Sequence, residues 1–281
     1  MKERDVPGAF IIVLREVIEA GLIIGIVLAA TRAMPRRLSY IGAGIFAGLL
    51  GAGCVAAAAG ALSNMMAGAG QEVFNASVLG TAVVMLAWHN IWMARHGRQL
   101  SENAQKLGGA ILAGARTMAA LTIAVAVTVL REGSEVVLFL YGLILTSRET
   151  GIGLLLGGAL GLVSGALIST LTYMGLAVIP PRYLFKVTSI LIGFMAAGMA
   201  AQSVAFLEQA GIVTTLGDTA WNTAWLLGDD SIVGRVLHTL TGYTDRPTQL
   251  QLLVYLVTHV AIFGLMWRLA PAAERPELAT N

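Results

Sequence analysis

The sequence predicts an all-α integral membrane protein with seven transmembrane helices, arranged as a 3+3 inverted repeat plus one extra C-terminal helix. Three observations support this prediction. Hydrophobic residues make up 57% of the 281 residues and charged residues only 12%, about half the charged fraction of a soluble domain. Apolar runs long enough to cross a bilayer occur seven times, and in lipid such runs must be helical to satisfy their backbone groups. The third observation is a charged motif that lies in both the first and the fourth run.

The seven predicted spans divide the chain into four parts. Residues 1–107 hold the first three-helix repeat, and residues 108–207 hold the second. Residues 208–249 form an extracytoplasmic loop with an interfacial helix, and residues 250–281 hold the seventh span and a short cytoplasmic tail. The polar stretch "ARHGRQLSENAQK" after the third span is predicted to be a loop. The predicted spans cover about residues 6–31, 41–62, 73–94, 117–145, 151–178, 187–207 and 250–270.

Positive charges orient these spans. Eleven Lys and Arg residues lie in the loops on one side of the predicted membrane and five lie on the other. The protein is expected in the cell inner (plasma) membrane. Because cytoplasmic loops are enriched in Lys and Arg, this bias places the N-terminus outside and the C-terminus in the cytoplasm. The net charge of only +2, without a basic block, gives no support for nucleic-acid binding.

The charged motif has the form Leu-Arg-Glu-x-x-Glu. It occurs as "LREVIEAGLIIG" in the first span and as "LREGSEVVLFLYG" in the fourth. On a helix with about 100° per residue, its three charged residues share one face. Charges in the middle of a membrane span are costly and usually functional. The motif residues are Arg15, Glu16 and Glu19 in the first copy, and Arg131, Glu132 and Glu135 in the second.

A glycine-rich span follows each motif span. Gly44 and Gly48 lie in the second span, and four glycines between Gly153 and Gly165 lie in the fifth. These glycines allow close helix contact, either within the bundle or between protomers of an oligomer. The order of motif helix, glycine-rich helix and third helix therefore occurs twice. Since three is odd, the second unit crosses the membrane in the opposite sense, as in transporters whose site lies at the repeat interface.

Two motif helices side by side would gather four carboxylates and two guanidinium groups. The sum of −2 calls for a cation, and neither a divalent nor a trivalent ion is excluded by charge. The donors are hard oxygens and the chain has one cysteine, so soft ions are disfavoured. Each Arg would hold its carboxylates in place by charge-assisted hydrogen bonds. Buried salt bridges that only lock the helices, or a proton relay, remain the alternatives.

At these residues the sequence resembles the iron permease family, which includes fungal high-affinity ferric permeases and bacterial oxidase-dependent iron transporters. That family carries an Arg-Glu-x-x-Glu motif in its first and fourth helices, here "REVIE" at 15–19 and "REGSE" at 131–135. The tract "AWLLGDDSIVGRVLHTLTGYTDRPTQLQLLVYL" is similar to bacterial members. One departure is "QEVFNAS", which has Glu72 and Asn75 where the family often has two acids.

The resemblance implies a permease, not an enzyme, that imports iron as Fe³⁺. Iron is then the transported substrate, and no cofactor is permanently bound. The chain itself is embedded in the lipid bilayer. Its implied partner is an extracytoplasmic iron oxidase or iron-binding protein. The implied metal ligands are Glu16, Glu19, Glu132 and Glu135, with Arg15 and Arg131 tuning the site.

Four further acids could concentrate cations at the outer mouth of the protein. Trp221 and Trp225, spaced four residues apart, are expected to anchor the interfacial helix among lipid headgroups. The four acids are Glu72, Glu208, Asp229 and Asp230.

Two alternative functions are open at this stage. The same architecture could carry lead or another divalent cation. From a different class, His89 and His259 lie in predicted spans and could be axial ligands in a haem-bearing membrane anchor of an oxidoreductase.

Overall fold

The regular structure of the chain is helical. The computed structural model describes residues 6–65, 70–146, 151–176, 181–229 and 231–269. Within these ranges no strand occurs, and the one β-bridge joins Thr219 to Thr248. The helices are α1 (Pro7–Ala30), α2 (Arg37–Met65), α3 (Gln71–Leu112), α4 (Met118–Thr146), α5 (Gly151–Tyr173), α6 (Pro181–Gln209), α7 (Ile232–Thr241) and α8 (Gln249–Leu269). The all-α prediction is confirmed.

In the described part of the chain, five helices are long and apolar enough to cross a membrane. These five candidate spans are Arg37–Ala61, Gln71–Trp92, Gly151–Tyr173, Phe185–Gln209 and Gln249–Arg268. Each overlaps a predicted span, and together they make the chain a multi-pass membrane protein.

The two motif helices, α1 and α4, stand apart from these five. They are 24 and 29 residues long, which is enough to span a hydrocarbon core about 30 Å thick. Each carries the three charged residues of its motif, so neither is as uniformly apolar as the other five. The seven-span count thus depends on whether these charges are buried against protein.

α3 is much longer than its predicted span. It has 42 residues and is therefore about 63 Å long, so the loop predicted at "ARHGRQLSENAQK" was wrong. The stretch has no proline and consists mainly of good helix formers. Ala104 and Ile111 on this extension are buried in a cluster with Val27 of α1 and Val125 of α4. Apolar residues at helical spacing thus stabilise a helix whose other faces are polar.

A short helix lies in the segment after α6, as expected, but the two tryptophans are not on it. α7 (Ile232–Thr241) begins after Ser231, whose hydroxyl caps it. Trp221 and Trp225 precede it in an irregular segment, where the side chain of Asn222 accepts a hydrogen bond from the backbone N–H two residues on. Such a turn competes with helix formation, which explains why the four-residue spacing of the tryptophans was misleading.

The helices pack against one another in pairs. α1 packs along α5 and α4 packs along α2, while α3 packs along α6 and α1 also contacts α4. If α1, α2 and α3 are exchanged with α4, α5 and α6 respectively, the α1–α5 pair becomes the α4–α2 pair. The α3–α6 and α1–α4 pairs are unchanged by the same exchange. α8 lies outside this scheme and packs mainly on α6. The arrangement brings the two motif helices together.

Glycines allow the helices of the α1–α5 and α2–α4 pairs to lie close together. A Cβ atom at Gly161 of α5 would lie 2.7 Å from the carbonyl oxygen of Phe10 in α1. Likewise, a Cβ at Gly48 of α2 would lie 2.8 Å from the carbonyl oxygen of Ala126 in α4. The α5 stripe therefore packs within the chain, which answers the choice that the sequence left open between intramolecular and intermolecular contact. The buried glycines of α5 are Gly153, Gly157, Gly161 and Gly165.

Substituting Gly161 with alanine is expected to destabilise the protein. The added methyl group would press on the backbone of α1, and overpacking of this kind costs about 1–3 kcal/mol. Gly53→Ala is the matched control, because a Cβ at Gly53 of α2 meets nothing within 4 Å. Thermal unfolding in detergent should show a lower midpoint for Gly161→Ala and an unchanged or higher one for Gly53→Ala. Equal midpoints would contradict the close α1–α5 contact.

Candidate metal site

The two motifs meet in the interior of the bundle, where α1, α3 and α4 contact one another. All four motif glutamates are buried, with exposed fractions between 1% and 9%. One oxygen or nitrogen atom from each of four side chains can be chosen so that all lie within 4.8 Å of one another. These four side chains are Glu16, Glu19, Glu132 and His89.

In the first motif, Arg15 holds one oxygen of each glutamate. Its Nη1 lies 3.0 Å from Oε1 of Glu16, and its Nη2 lies 2.9 Å from Oε1 of Glu19. The arginine is itself only 1% exposed. The other oxygens, Oε2 of Glu16 and Oε2 of Glu19, are buried without a hydrogen-bond partner among the described residues. Because buried polar atoms are normally satisfied, these two oxygens are candidates for binding a ligand.

The second motif is less enclosed. Nε of Arg131 lies 3.2 Å from Oε1 of Glu135 and 3.9 Å from Oε1 of Glu132. The Arg131 side chain is 36% exposed, and its guanidinium stacks 4.6 Å from the ring centroid of Trp92. Oε2 of Glu132 is buried without a hydrogen-bond partner in the described part of the chain. Both motifs thus use an arginine to hold carboxylates, but only Arg15 is fully buried.

His89 of α3 joins the two motifs. Its Nε2 lies 3.3 Å from Oε2 of Glu19 and 3.8 Å from Oε2 of Glu16. Its Nδ1 contacts Oε2 of Glu135 from the second motif. Sequence reasoning considered this residue only as a haem ligand. The sequence did contain one signal: His89 is an ionisable residue inside an apolar span. Such a residue marks a functional site by default.

His259, the other histidine considered for haem, has different surroundings. Its ring packs against Phe194 of α6 and against Tyr255 and Phe263 of α8, with centroid separations of 4.6, 6.1 and 4.4 Å. It lies in an aromatic cluster between two helices, whereas the ring nitrogens of His89 face carboxylates. The two histidines therefore have separate roles in the fold.

A cavity opens beside the second motif. Its volume is about 310 Å³, large enough for an ion with several waters. The cavity borders Arg131, whose side chain is 36% exposed, whereas Arg15 is only 1% exposed inside the bundle. It is lined by Val84, Met85, Trp88, His89, Trp92, Arg131 and Glu135.

Three of the four acids predicted at the outer mouth can be placed. Glu72 lies exposed in the first turn of α3. Glu208 accepts hydrogen bonds from the Thr248 hydroxyl and the Gln251 amide, both at 2.8 Å, and so ties α6 to the start of α8. Asp230 lies outside the described residues.

Asp229 is half-buried in the segment before α7. Its Oδ1 accepts a hydrogen bond of 3.0 Å from the backbone N–H of Asp245. Burial, and then the nearby Asp245 carboxylate, raise the pKa of Asp229 above its ordinary value. These two acids are therefore adjacent on the segment that joins α6 to α8.

What the core site can do chemically follows from its charges. Four glutamates and two arginines sum to −2 with a neutral histidine. Uncompensated carboxylates in a low-dielectric interior are strongly unfavourable, so a cation that enters the site is favoured. The donors are carboxylate oxygens and one imidazole nitrogen, a set that suits first-row transition metals.

An all-helical membrane protein with a buried, cation-seeking carboxylate cluster has the features of an ion permease. The family model described as the iron permease FTR1 family matches residues 7–271, and the chain belongs to this family. It is a family of permeases rather than enzymes, and the resemblance stated from the two motifs is confirmed.

Curated relatives agree over nearly the whole chain. The ferrous iron permease EfeU of Shigella sonnei is 31% identical over 274 residues, which cover 95% of this chain and 98% of that protein. The protein of the same name from Escherichia coli O157:H7 gives the same values. That of Yersinia pestis is 30% identical over 253 residues, 88% of each chain. No solved structure matches. These relatives support neither the lead permease nor the haem-bearing anchor.

Proposed function

We propose that this chain imports iron through a site lined by the glutamates of its two Arg-Glu-x-x-Glu motifs. The observation that supports this most directly is the convergence of both motifs on one buried cluster with unpartnered carboxylate oxygens. Arg15 and Arg131 position the carboxylates and reduce their mutual repulsion. The site glutamates are Glu16, Glu19, Glu132 and Glu135.

The proposed architecture has seven spans in an inner (plasma) membrane, with the N-terminus outside and the C-terminus in the cytoplasm. α1 and α4 each carry the charged residues of a motif, and the motif glutamates are buried where these two helices meet α3. The units are residues 1–107 and 108–207 as inverted repeats, residues 208–249 as the outer segment, and residues 250–281 as the last span and tail. The exchange symmetry of the helix pairs supports this division.

The valence of the imported ion has two candidates. Fe³⁺ is the ion that the family resemblance of the two motifs implies, and carboxylates are hard donors that suit it. Two observations favour Fe²⁺ as a second candidate: an imidazole lies in the cluster, and the curated relatives are named ferrous iron permeases. A divalent ion would also bring the charge of the site to zero.

We also propose that iron reaches the outer face from an extracytoplasmic iron oxidase or iron-binding protein. Asp229 and Asp245 lie together on the outer segment, and Glu72 is exposed at the start of α3. Such acids would concentrate cations near the entrance. The partner's identity is a matter for co-purification from the native membrane.

Uptake of radioactive iron into proteoliposomes tests the proposal. We expect the protein to accumulate iron above the level of protein-free liposomes, in one of two parallel series kept ferrous with ascorbate or ferric with citrate. The series with the faster initial rate identifies the valence. Lead added in tenfold excess should leave that rate largely unchanged. Iron uptake no greater than in empty liposomes in both series would refute the proposed function.

A further inference from the structure

The cluster within the site does not contain all four motif glutamates. The four side chains whose donor atoms lie within 4.8 Å of one another are Glu16, Glu19, Glu132 and His89. Glu135, the fourth glutamate of the motifs, is absent from this group. In the sequence the two copies of the motif are equivalent. In the structure, both glutamates of the first copy belong to the group but only Glu132 of the second copy does.

Glu135 lies on the other side of the imidazole, between His89 and Arg131. Its Oε1 lies 3.2 Å from Nε of Arg131, and its Oε2 contacts Nδ1 of His89. Both oxygens thus face a neighbouring side chain. By contrast, one donor atom each from Glu16, Glu132 and Glu19 lies within 4.8 Å of the others and of a ring nitrogen of His89. Among the described residues, these three carboxylates and the imidazole are therefore the group that could surround one ion.

The contact with Glu135 also sets the direction of the imidazole. With Nδ1 against the Glu135 carboxylate, Nε2 faces Glu19 at 3.3 Å and Glu16 at 3.8 Å. Metal-binding histidines usually donate one ring N–H to a carboxylate while the other nitrogen binds the metal. The ring is 3% exposed, so burial holds this orientation.

We propose that His89 Nε2 is the fourth protein ligand of the cation site and that Glu135 positions this imidazole without binding the ion. The assignment rests on the proposed function, because it concerns the same site. It gives the site a selectivity that four carboxylates would lack: Mg²⁺ and Ca²⁺ prefer all-oxygen sites, whereas imidazole is also a good ligand for iron. His89 is then the residue that separates iron from the far more abundant hard divalent ions.

Pulsed EPR of bound Mn²⁺ tests the ligand directly. Tag-free protein is titrated with Mn²⁺ and examined for modulation of the electron spin echo by a coordinated ¹⁴N nucleus. We expect ¹⁴N modulation from an imidazole in the wild-type protein, and its replacement by the ¹⁵N pattern when the histidines are ¹⁵N-labelled. Since the chain contains four histidines, His259→Gln, which should keep the signal, is the matched control for His89→Gln, which should lose it.

Affinities complete the test. His89→Gln should bind Mn²⁺ at least about tenfold more weakly, while Ca²⁺ binding changes little, so that the Mn²⁺/Ca²⁺ preference falls. Glu132→Gln should weaken Mn²⁺ binding more than Glu135→Gln. The proposal is overturned if wild-type protein shows no saturable Mn²⁺ binding or no histidine modulation, or if Glu135→Gln weakens binding as much as Glu132→Gln. Histidine modulation in a protein that transports no iron would support the ligand assignment and overturn the proposed function alone.

Discussion

Replacing Glu16 or Glu132 with glutamine is expected to bring iron uptake close to the background of empty liposomes. Each substitution removes one negative charge and one proposed oxygen ligand from a buried cluster while keeping the size of the side chain. A loss of at least tenfold in rate corresponds to about 1.4 kcal/mol, which is small beside the effect of a charge in a low-dielectric interior. The two residues come from different motifs, so equal losses would show that both halves serve one site.

The protein should still fold in both variants. Removing one carboxylate from a crowded cluster relieves repulsion, and a glutamine oxygen at position 16 can still accept the hydrogen bond of 3.0 Å from Arg15. Glu102→Gln, at an exposed position on α3, is the matched control and should transport like the wild type. Initial uptake rates are to be compared at equal amounts of reconstituted protein. Normal uptake by both Glu16→Gln and Glu132→Gln would refute the role of the motif glutamates.

Much of the fold follows from the distribution of apolar residues. Hydropathy alone locates the five uniformly apolar spans, because lipid imposes both length and composition on them. It fails at the end of α3, where Ala104 and Ile111 are buried against other helices in a stretch that reads as polar. That helix continues because of tertiary packing, and a single sequence does not show which helix faces will meet.

The charges of the site were predictable from the sequence, but the different contacts of the two motif copies were not. Two copies of one motif suggest two equivalent halves, and both do contribute buried carboxylates. Their equivalence ends with α3, which places His89 against Glu135 of one motif and Glu19 of the other. Since α3 carries no repeat of the motif, no spacing in the sequence links it to α1 or α4. Only the packing of three helices reveals the imidazole as part of the cluster.

The two arginines differ in the same way. Arg15 and Arg131 occupy identical positions in the motif, but one is 1% exposed and the other is 36% exposed. Arg131 borders the cavity and stacks on Trp92, an interaction worth about 0.5–1 kcal/mol at an exposed site. The two copies of the motif therefore differ in structure, because Arg15 is enclosed by protein and Arg131 is not.

Arg15→Ala is consequently expected to destabilise the protein strongly, and Arg131→Ala only mildly. Without Arg15, the carboxylates of Glu16 and Glu19 lose the partner that holds them at 3.0 and 2.9 Å. Removing one partner of a buried ion pair costs about 3–5 kcal/mol, because the remaining charge is uncompensated. Arg131 is partly solvated, so its loss should cost about 1 kcal/mol or less. Thermal unfolding and the monodisperse fraction in detergent measure both effects.

A second substitution separates lost charge pairing from lost packing. In Arg15→Ala combined with Glu19→Gln, one uncompensated carboxylate is neutralised, so the unfolding midpoint should recover part of the loss. Glu72→Gln in the Arg15→Ala background is the control, since Glu72 is exposed on the surface and should give no recovery. If Arg15→Ala and Arg131→Ala lower the midpoint equally, the burial difference between the motifs has no energetic consequence. If Glu19→Gln gives no recovery, Arg15 stabilises α1 by packing rather than by pairing with the carboxylates of Glu16 and Glu19.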